Sequence, residues 1–212
     1  MSAFQSYNDV IRRLPELECV LPAMEKLTAL CIDLYRRGGT LFLAGNGGSA
    51  ADCEHIAGEL LKGFKKRRPL SDEDKAAFAA LGEAGADAAE KLQYGLPAVS
   101  LLSHPGLTTA FANDVDAELI YAQQLFALGK KNDILIGIST GGNARNIIQA
   151  MIAAKVRGMT TVLLTGNRHG KCEEFADITV AVPESETFRI QEYHLALYHA
   201  FCLEVEAAFF DK

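Results

Sequence analysis

The run CEHIAGEL sets an imidazole, His55, four residues before a carboxylate, Glu59. Four residues make about one helical turn, so the two side chains share a helix face. Such a pair can ligate a divalent ion or move a proton, or it can be an ordinary i,i+4 surface pair stabilising by roughly 0.2–0.5 kcal/mol. A second pair, Gln191 and His199 in RIQEYHLALYHAF, lies eight residues apart, about 80° around a helix axis, and can occupy one broad face. His194, between them, reads as a packed or hydrogen-bonded histidine. His199 sits among Leu195, Leu197, Tyr198, Phe201 and Leu203, so it is expected to be partly buried, where an imidazole needs a partner.

Two glycine-rich turns could serve an anion. Asn46, Gly47, Gly48 and Ser49 follow one apolar run and open a helix, with Ser49 expected as its N-cap. Ser139, Thr140, Gly141 and Asn143 repeat the arrangement after another run. Glycines let a backbone approach a ligand closely, and the free N–H groups at a helix start attract negative charge. Neither turn is a GxGxxG fingerprint or a lysine-bearing Walker loop. One such turn is usually only a tight turn; two at equivalent places point toward an anionic ligand.

The elements that must position these residues can be read from periodicity. Helical patterns cover 4–15 and 19–37, broken near Pro15 and Pro22. Apolar runs at 41–44, 96–103, 133–140, 160–166 and 177–182 read as strands, the last one short. Helices are expected at 115–129, 143–157 and 186–209. The order predicts an α/β fold, a doubly wound five-stranded parallel sheet flanked by helices, preceded by N-terminal helices and carrying a helical insertion at about 70–94, all in a single domain of residues 1–212. Ligands of such sheets bind beyond the carboxyl ends of the strands, where both glycine turns fall. The basic run KKRR at 65–68 reads as a charged helix end, and the insertion as a solvated helix with a break near Gly82 or Gly85.

Composition sets outer bounds. Of 212 residues, 49% are hydrophobic, enough for a sizeable core. The net charge of −6 argues against nucleic acid or an anionic membrane as partner. The five cysteines are scattered without CxxC spacing, as in a reduced, cytoplasmic protein. The first residues lack the apolar core of a secretory signal, and no run approaches the roughly 20 residues of a membrane span.

AGNGGSAADCEHIAGEL, GISTGGNARNIIQAM, VLLTG and RIQEYHLALYH, in this order, resemble the sugar isomerase (SIS) domain. Within it they are most similar to the phosphoheptose isomerases, which interconvert sedoheptulose 7-phosphate and a heptose 7-phosphate, and the likeness runs from about residue 5 to 210. The resemblance implies an aldose–ketose isomerase acting through an enediol, with Glu59 as the base and His199 as the acid. It implies zinc or another divalent ion on His55, Glu59, Gln191 and His199. Substrate contacts are expected from Asn46, Gly47, Gly48, Ser49, Asn113, Asp114, Ser139, Thr140, Gly141, Asn143 and Gln191. A homotetramer with sites shared between subunits is implied as well. The apolar stripe Phe4, Tyr7, Val10, Ile11, Leu14 and Leu17 suits either subunit contacts or packing on its own domain.

Four departures from the family pattern stand out. Its STSGNS loop reads STGGNA here, so Gly141 and Ala144 replace two phosphate-binding serines, with Arg145 beside them as a possible compensating charge. An aspartate expected after the second strand is His104, another before RIQE is Phe188, and the insertion is extra. The lost hydroxyls and carboxylates leave an alternative reading: a non-catalytic SIS protein that senses a sugar phosphate or partners a replication initiator.

Overall fold

The computed structural model describes residues 2–211. Strands β1 (Leu41–Gly45), β2 (Ala98–Ser100), β3 (Ile134–Ile138), β4 (Thr160–Thr165) and β5 (Ile178–Ala181) form one parallel sheet in the order β2-β1-β3-β4-β5. Every residue of β1 and β3 is buried, the signature of strands covered on both faces. Alternate side chains feed two cores. Leu41, Leu43, Ile134, Ile136, Val162 and Leu164 pack toward one face, and Phe42, Ala44, Leu135 and Leu163 toward the other.

The first face carries α1 (Gln5–Arg13), α2 (Leu21–Arg36), α3 (Gly48–Leu61) and α9 (Thr187–Phe210), and the second carries α7 (Ile120–Leu128) and α8 (Arg145–Val156). Proline shapes the entry: α1 ends before Pro15, a short 3₁₀ turn spans Pro15–Val20, and Pro22 sits in the first turn of α2, where a missing N–H costs nothing. The N-terminal stripe is spent within the chain. Tyr7, Val10 and Leu17 are buried, with Phe4, Ile11 and Leu14 packed against the same core. No helix among the described residues is long and apolar enough to cross a membrane.

The expected helix at 115–129 begins earlier and is broken. It comprises α6 (Pro105–Phe111), a π turn at Ala112–Asp116, a 3₁₀ turn at Ala117–Leu119, then α7. The insertion is two helices, α4 (Asp72–Ala79) and α5 (Glu83–Lys91), separated near Gly82 and joined by a Lys75–Glu90 ion pair at 3.0 Å. Its stem closes where the Tyr94 N–H donates to the Arg68 carbonyl at 2.8 Å and Pro69 bridges Gln93.

The expectation for KKRR is corrected. Helix α3 ends at Leu61, and Arg68 is wholly buried. Its guanidinium donates to Glu206 Oε1 at 3.0 Å and to the Leu60 and Glu59 carbonyls at 2.7 and 3.3 Å. It thereby satisfies carbonyls that every helix end leaves unpaired. The Phe64 and Lys65 N–H groups donate to the same carboxylate at 2.8 and 2.9 Å. Burial by itself would raise the Glu206 pKa. The backbone N–H groups and Arg68 outweigh it and hold the carboxyl below its usual range.

His194 is packed, as its sequence surroundings suggest. It is fully buried and touches the Thr165 carbonyl at 3.3 Å. Burial lowers its pKa from 6.5 to about 4, against a smaller opposing effect of that carbonyl. The unfolded chain therefore binds this proton more readily, and stability falls as pH drops from about 6.5 toward 4. A loss of about 3 kcal/mol is expected across that window. Denaturant melts of wild type and His194→Gln at several pH values check it: the variant should lose most of the slope.

Candidate active site

The sheet's strand order reverses direction between β1 and β3, and the two glycine turns meet at that switch point. Asn46 after β1 and Asn146 on α8 exchange two side-chain hydrogen bonds, at 2.9 and 2.8 Å, and tie the loops together. The Tyr121 hydroxyl braces the first loop by donating to the Gly45 carbonyl at 2.5 Å. Gly47, not Ser49, is the N-cap of α3. Its φ of 55° and ψ of −120° suit a residue without a Cβ, and Ser49 is buried within the first turn. The Gln191 amide lies so close to Gly48 that a Cβ there would come within 2.5 Å of its Nε2.

The β3 loop is braced rather than open. Ser139 is buried, and its Oγ accepts from the Ala144 N–H at 3.4 Å. The Thr140 carbonyl accepts from the Gly166 N–H at 3.0 Å. Asn143 donates to the Gly141 carbonyl and accepts from the Lys171 N–H. Arg145, considered as compensation for the lost hydroxyls, pairs with Glu118 at 2.9 Å. Asn113 and Asp114 fall on the π turn, are exposed, and hydrogen-bond to each other at 2.8 Å. Among the described residues no hydrogen bond joins those two to the other candidate residues. His104 caps α6 and bonds Gln124 at 3.0 Å, and Phe188 is exposed.

Further along α3, helices α3 and α9 run side by side in parallel: Gln191 is level with Gly48, and His199 with His55. His199 Nε2 lies 3.4 Å from His55 Nε2, and Glu59 Oε1 lies 3.5 Å from that same atom. Glu59 and His199 are therefore at most about 7 Å apart. The Glu59 side chain is only 14% exposed, its Oε2 is 3.3 Å from Lys62 Nζ, and its backbone carbonyl is held by Arg68. Burial lowers the His199 pKa, the neighbouring His55 lowers it further, and Glu59 pulls it back up. A cavity of about 390 Å³ opens beside His199, its walls including Arg13, Lys65, Glu192 and Leu203.

Gln191 does not reach this cluster within one chain. Gly48 and His55 are seven residues apart on α3, about 10 Å along its axis. Separations of 3.4 and 3.5 Å match edges of a tetrahedron with bonds of about 2.0–2.1 Å, the zinc–nitrogen length. Among the described residues, however, no group of three or more His, Cys, Asp or Glu is arranged to hold an ion. One chain offers two edges of a metal site and not a closed set.

Comparison with known proteins places this chain in a lineage. The SIS domain family matches residues 75–166. The chain is 40% identical over 195 residues to a phosphoheptose isomerase of Burkholderia pseudomallei, covering 92% of this chain and 86% of that protein. This chain belongs to the phosphoheptose isomerase family. The phosphoheptose isomerase structure from Francisella tularensis superposes with a TM-score of 0.76 at 25% identity, covering 97% of this chain and 95% of the other. The one from Neisseria gonorrhoeae gives 0.74 at 30%, covering 95% of each. Both share the helix-covered parallel sheet described above.

Two residues of the cluster escaped the reading of the sequence. Tyr198 and Asp52 both contact the His55 imidazole's surroundings: the Tyr198 hydroxyl lies 3.0 Å from His55 Nδ1 and donates to Asp52 Oδ1 at 3.1 Å. Their positions carried a signal. Asp52 precedes His55 by three residues, one turn on the same helix, and Tyr198 adjoins His199.

Proposed function

We propose that this chain, acting as a single domain, interconverts sedoheptulose 7-phosphate and a heptose 7-phosphate, and that Glu59 and His199 carry the proton transfers. The supporting observation is the convergence of a shielded carboxylate and a half-buried imidazole on one atom, His55 Nε2, from helices far apart in sequence. The Glu59 carboxylate takes the proton from the carbon beside the carbonyl, and the carbonyl oxygen gains a proton to give the enediol. His199 delivers a proton to the neighbouring carbon while the other oxygen loses one. The two oxygens exchange these protons with solvent, Glu59 releases to solvent the proton it took and His199 regains one from it, so the sugar keeps its composition and each protein group returns to its starting state. Base and acid on adjacent carbons are what this reaction requires.

An ion on the His55, Glu59 and His199 edges would stabilise negative charge on the enediolate oxygens. Zinc or another divalent ion is part of the proposal, with Gln191 as a further ligand. Gln191 lies against Gly48, about two helical turns along α3 from His55, and a homotetramer in which a neighbouring subunit completes each site is part of the proposal. Light scattering tests it, and a monomer at micromolar concentration speaks against the shared site. Phosphate is assigned to the Ser139–Asn143 loop and sugar hydroxyls to Asn46–Ser49, with Asn113 and Asp114 retained as proposed contacts. A cytoplasmic location accompanies this reading. The assembled acid and base weigh against the non-catalytic alternative.

The altered phosphate loop yields a prediction of its own. A Cβ at Gly141 would meet no heavy atom within 4 Å, so Gly141→Ser fits without rearrangement. One restored hydroxyl on a charged phosphate should contribute about 1.5 kcal/mol, lowering KM about tenfold with kcat little changed. Steady-state kinetics on sedoheptulose 7-phosphate checks it. The test of the whole reading is turnover of that sugar by wild type and Glu59→Gln.

A further inference from the structure

We propose that Tyr198 is a positioning residue that fixes which nitrogen of His55 carries the proton. The inference rests on the isomerase reading of the His55, Glu59 and His199 cluster, and it concerns a side chain placed behind His55 rather than against a substrate. The Tyr198 ring is buried and meets both imidazoles edge-on, with centroids 5.4 Å from His55 and 5.1 Å from His199. Its hydroxyl has a single proton. That proton is given to Asp52 Oδ1 at 3.1 Å, and the same oxygen lies 3.0 Å from His55 Nδ1.

A hydroxyl that has spent its proton on a carboxylate can only accept from the imidazole. His55 must then carry its hydrogen on Nδ1. A neutral imidazole has one N–H, so Nε2 is left with its lone pair. Nε2 is the atom that faces His199 Nε2 and Glu59 Oε1. A lone pair there accepts the Nε2–H of His199 or takes a metal ion, whereas an N–H there does neither. Free neutral histidine favours the opposite tautomer, so the relay works against the ring's own preference. Asp52 is an expensive anchor, since its Oδ2 is buried without a partner among the described residues. The cost is understandable if the carboxylate is kept to hold the hydroxyl in one orientation. A histidine ligand oriented through its second nitrogen is a general device for tuning the first; here a tyrosine stands between the carboxylate and the ring.

The experiment is ¹⁵N NMR on full-length protein with labelled histidine at about pH 8.5, above the ordinary imidazole pKa. The His55 signals are assigned by their loss in His55→Gln. Wild type should show His55 protonated on Nδ1. Tyr198→Phe should lose that preference. In Asp52→Asn the new amide can donate to the hydroxyl, which then turns to donate to Nδ1, so the ring should move to the Nε2–H form. Both variants should lose kcat by about 10–100-fold, with KM within about twofold and the melting temperature within a few degrees of wild type. If Tyr198→Phe does not fold, Asp52→Asn carries the test. A wild-type His55 protonated on Nε2, or a tautomer unmoved in the variants, overturns the proposal. Active wild type with the Nε2–H form sinks the relay alone. The expected tautomers in a protein without isomerase activity sink the enzymatic reading and leave the relay standing.

Discussion

Arg68→Ala is expected to cost about 3–5 kcal/mol of folding stability, the range for breaking one side of a buried ion pair. Both side chains of the pair are essentially inaccessible to water. Without the guanidinium, Glu206 keeps its backbone N–H partners but loses its buried ion-pair partner, and the Leu60 and Glu59 carbonyls at the end of α3 lose their donor. Because Glu59 belongs to that last turn, activity should fall with stability. Urea unfolding with and without the substitution measures the loss. The double variant Arg68→Met with Glu206→Leu should recover only part of the stability: it removes the desolvation cost of both charges but leaves the Leu60 and Glu59 carbonyls and the Phe64 and Lys65 N–H groups without these partners. A single variant within about 1 kcal/mol of wild type would mean that the pair is solvated in solution.

His199→Asn is expected to lower kcat by about 10²–10⁴-fold, the usual contribution of a positioned acid or base. Stability should hardly change, because the ring is half exposed, meeting His55 and Tyr198 edge-on and Phe64 at a tilt. Stopped-time assays of sugar-phosphate isomerisation, paired with a thermal melt, separate the two effects. Parallel loss of fold and activity would assign His199 to packing instead.

The sheet was legible in the sequence because its central strands are buried on both faces and so read as unbroken apolar runs between glycine turns. β2 was legible only as a longer run, since the chain leaves the sheet after Ser100. The helix boundaries around 105–120 were not, because the π and 3₁₀ turns there have no periodic signature. His55 and Glu59 could be paired by spacing alone. Their meeting with His199 depends on how α3 packs against α9, which no local pattern encodes; only the family likeness anticipated it. Arg68 illustrates the converse. Its setting among Lys65, Lys66 and Arg67 reads as solvated charge, while its burial depends on Glu206, 138 residues away. Gln191 and His199 both face α3, Gln191 at Gly48 and His199 at His55, a juxtaposition of two helices that no local pattern encodes.

The central claim is that Glu59 abstracts the proton beside the sugar's carbonyl. It is tested most directly by incubating sedoheptulose 7-phosphate in deuterated water with wild type or Glu59→Gln and following both isomerisation and deuterium uptake by NMR. Wild type is expected to convert the sugar with deuterium appearing on the former carbonyl carbon, where His199 delivers its proton, and the variant to do both at least about 10³-fold more slowly, with a melting temperature matching wild type. A folded Glu59→Gln protein that converts the sugar at more than about a tenth of the wild-type rate would contradict it.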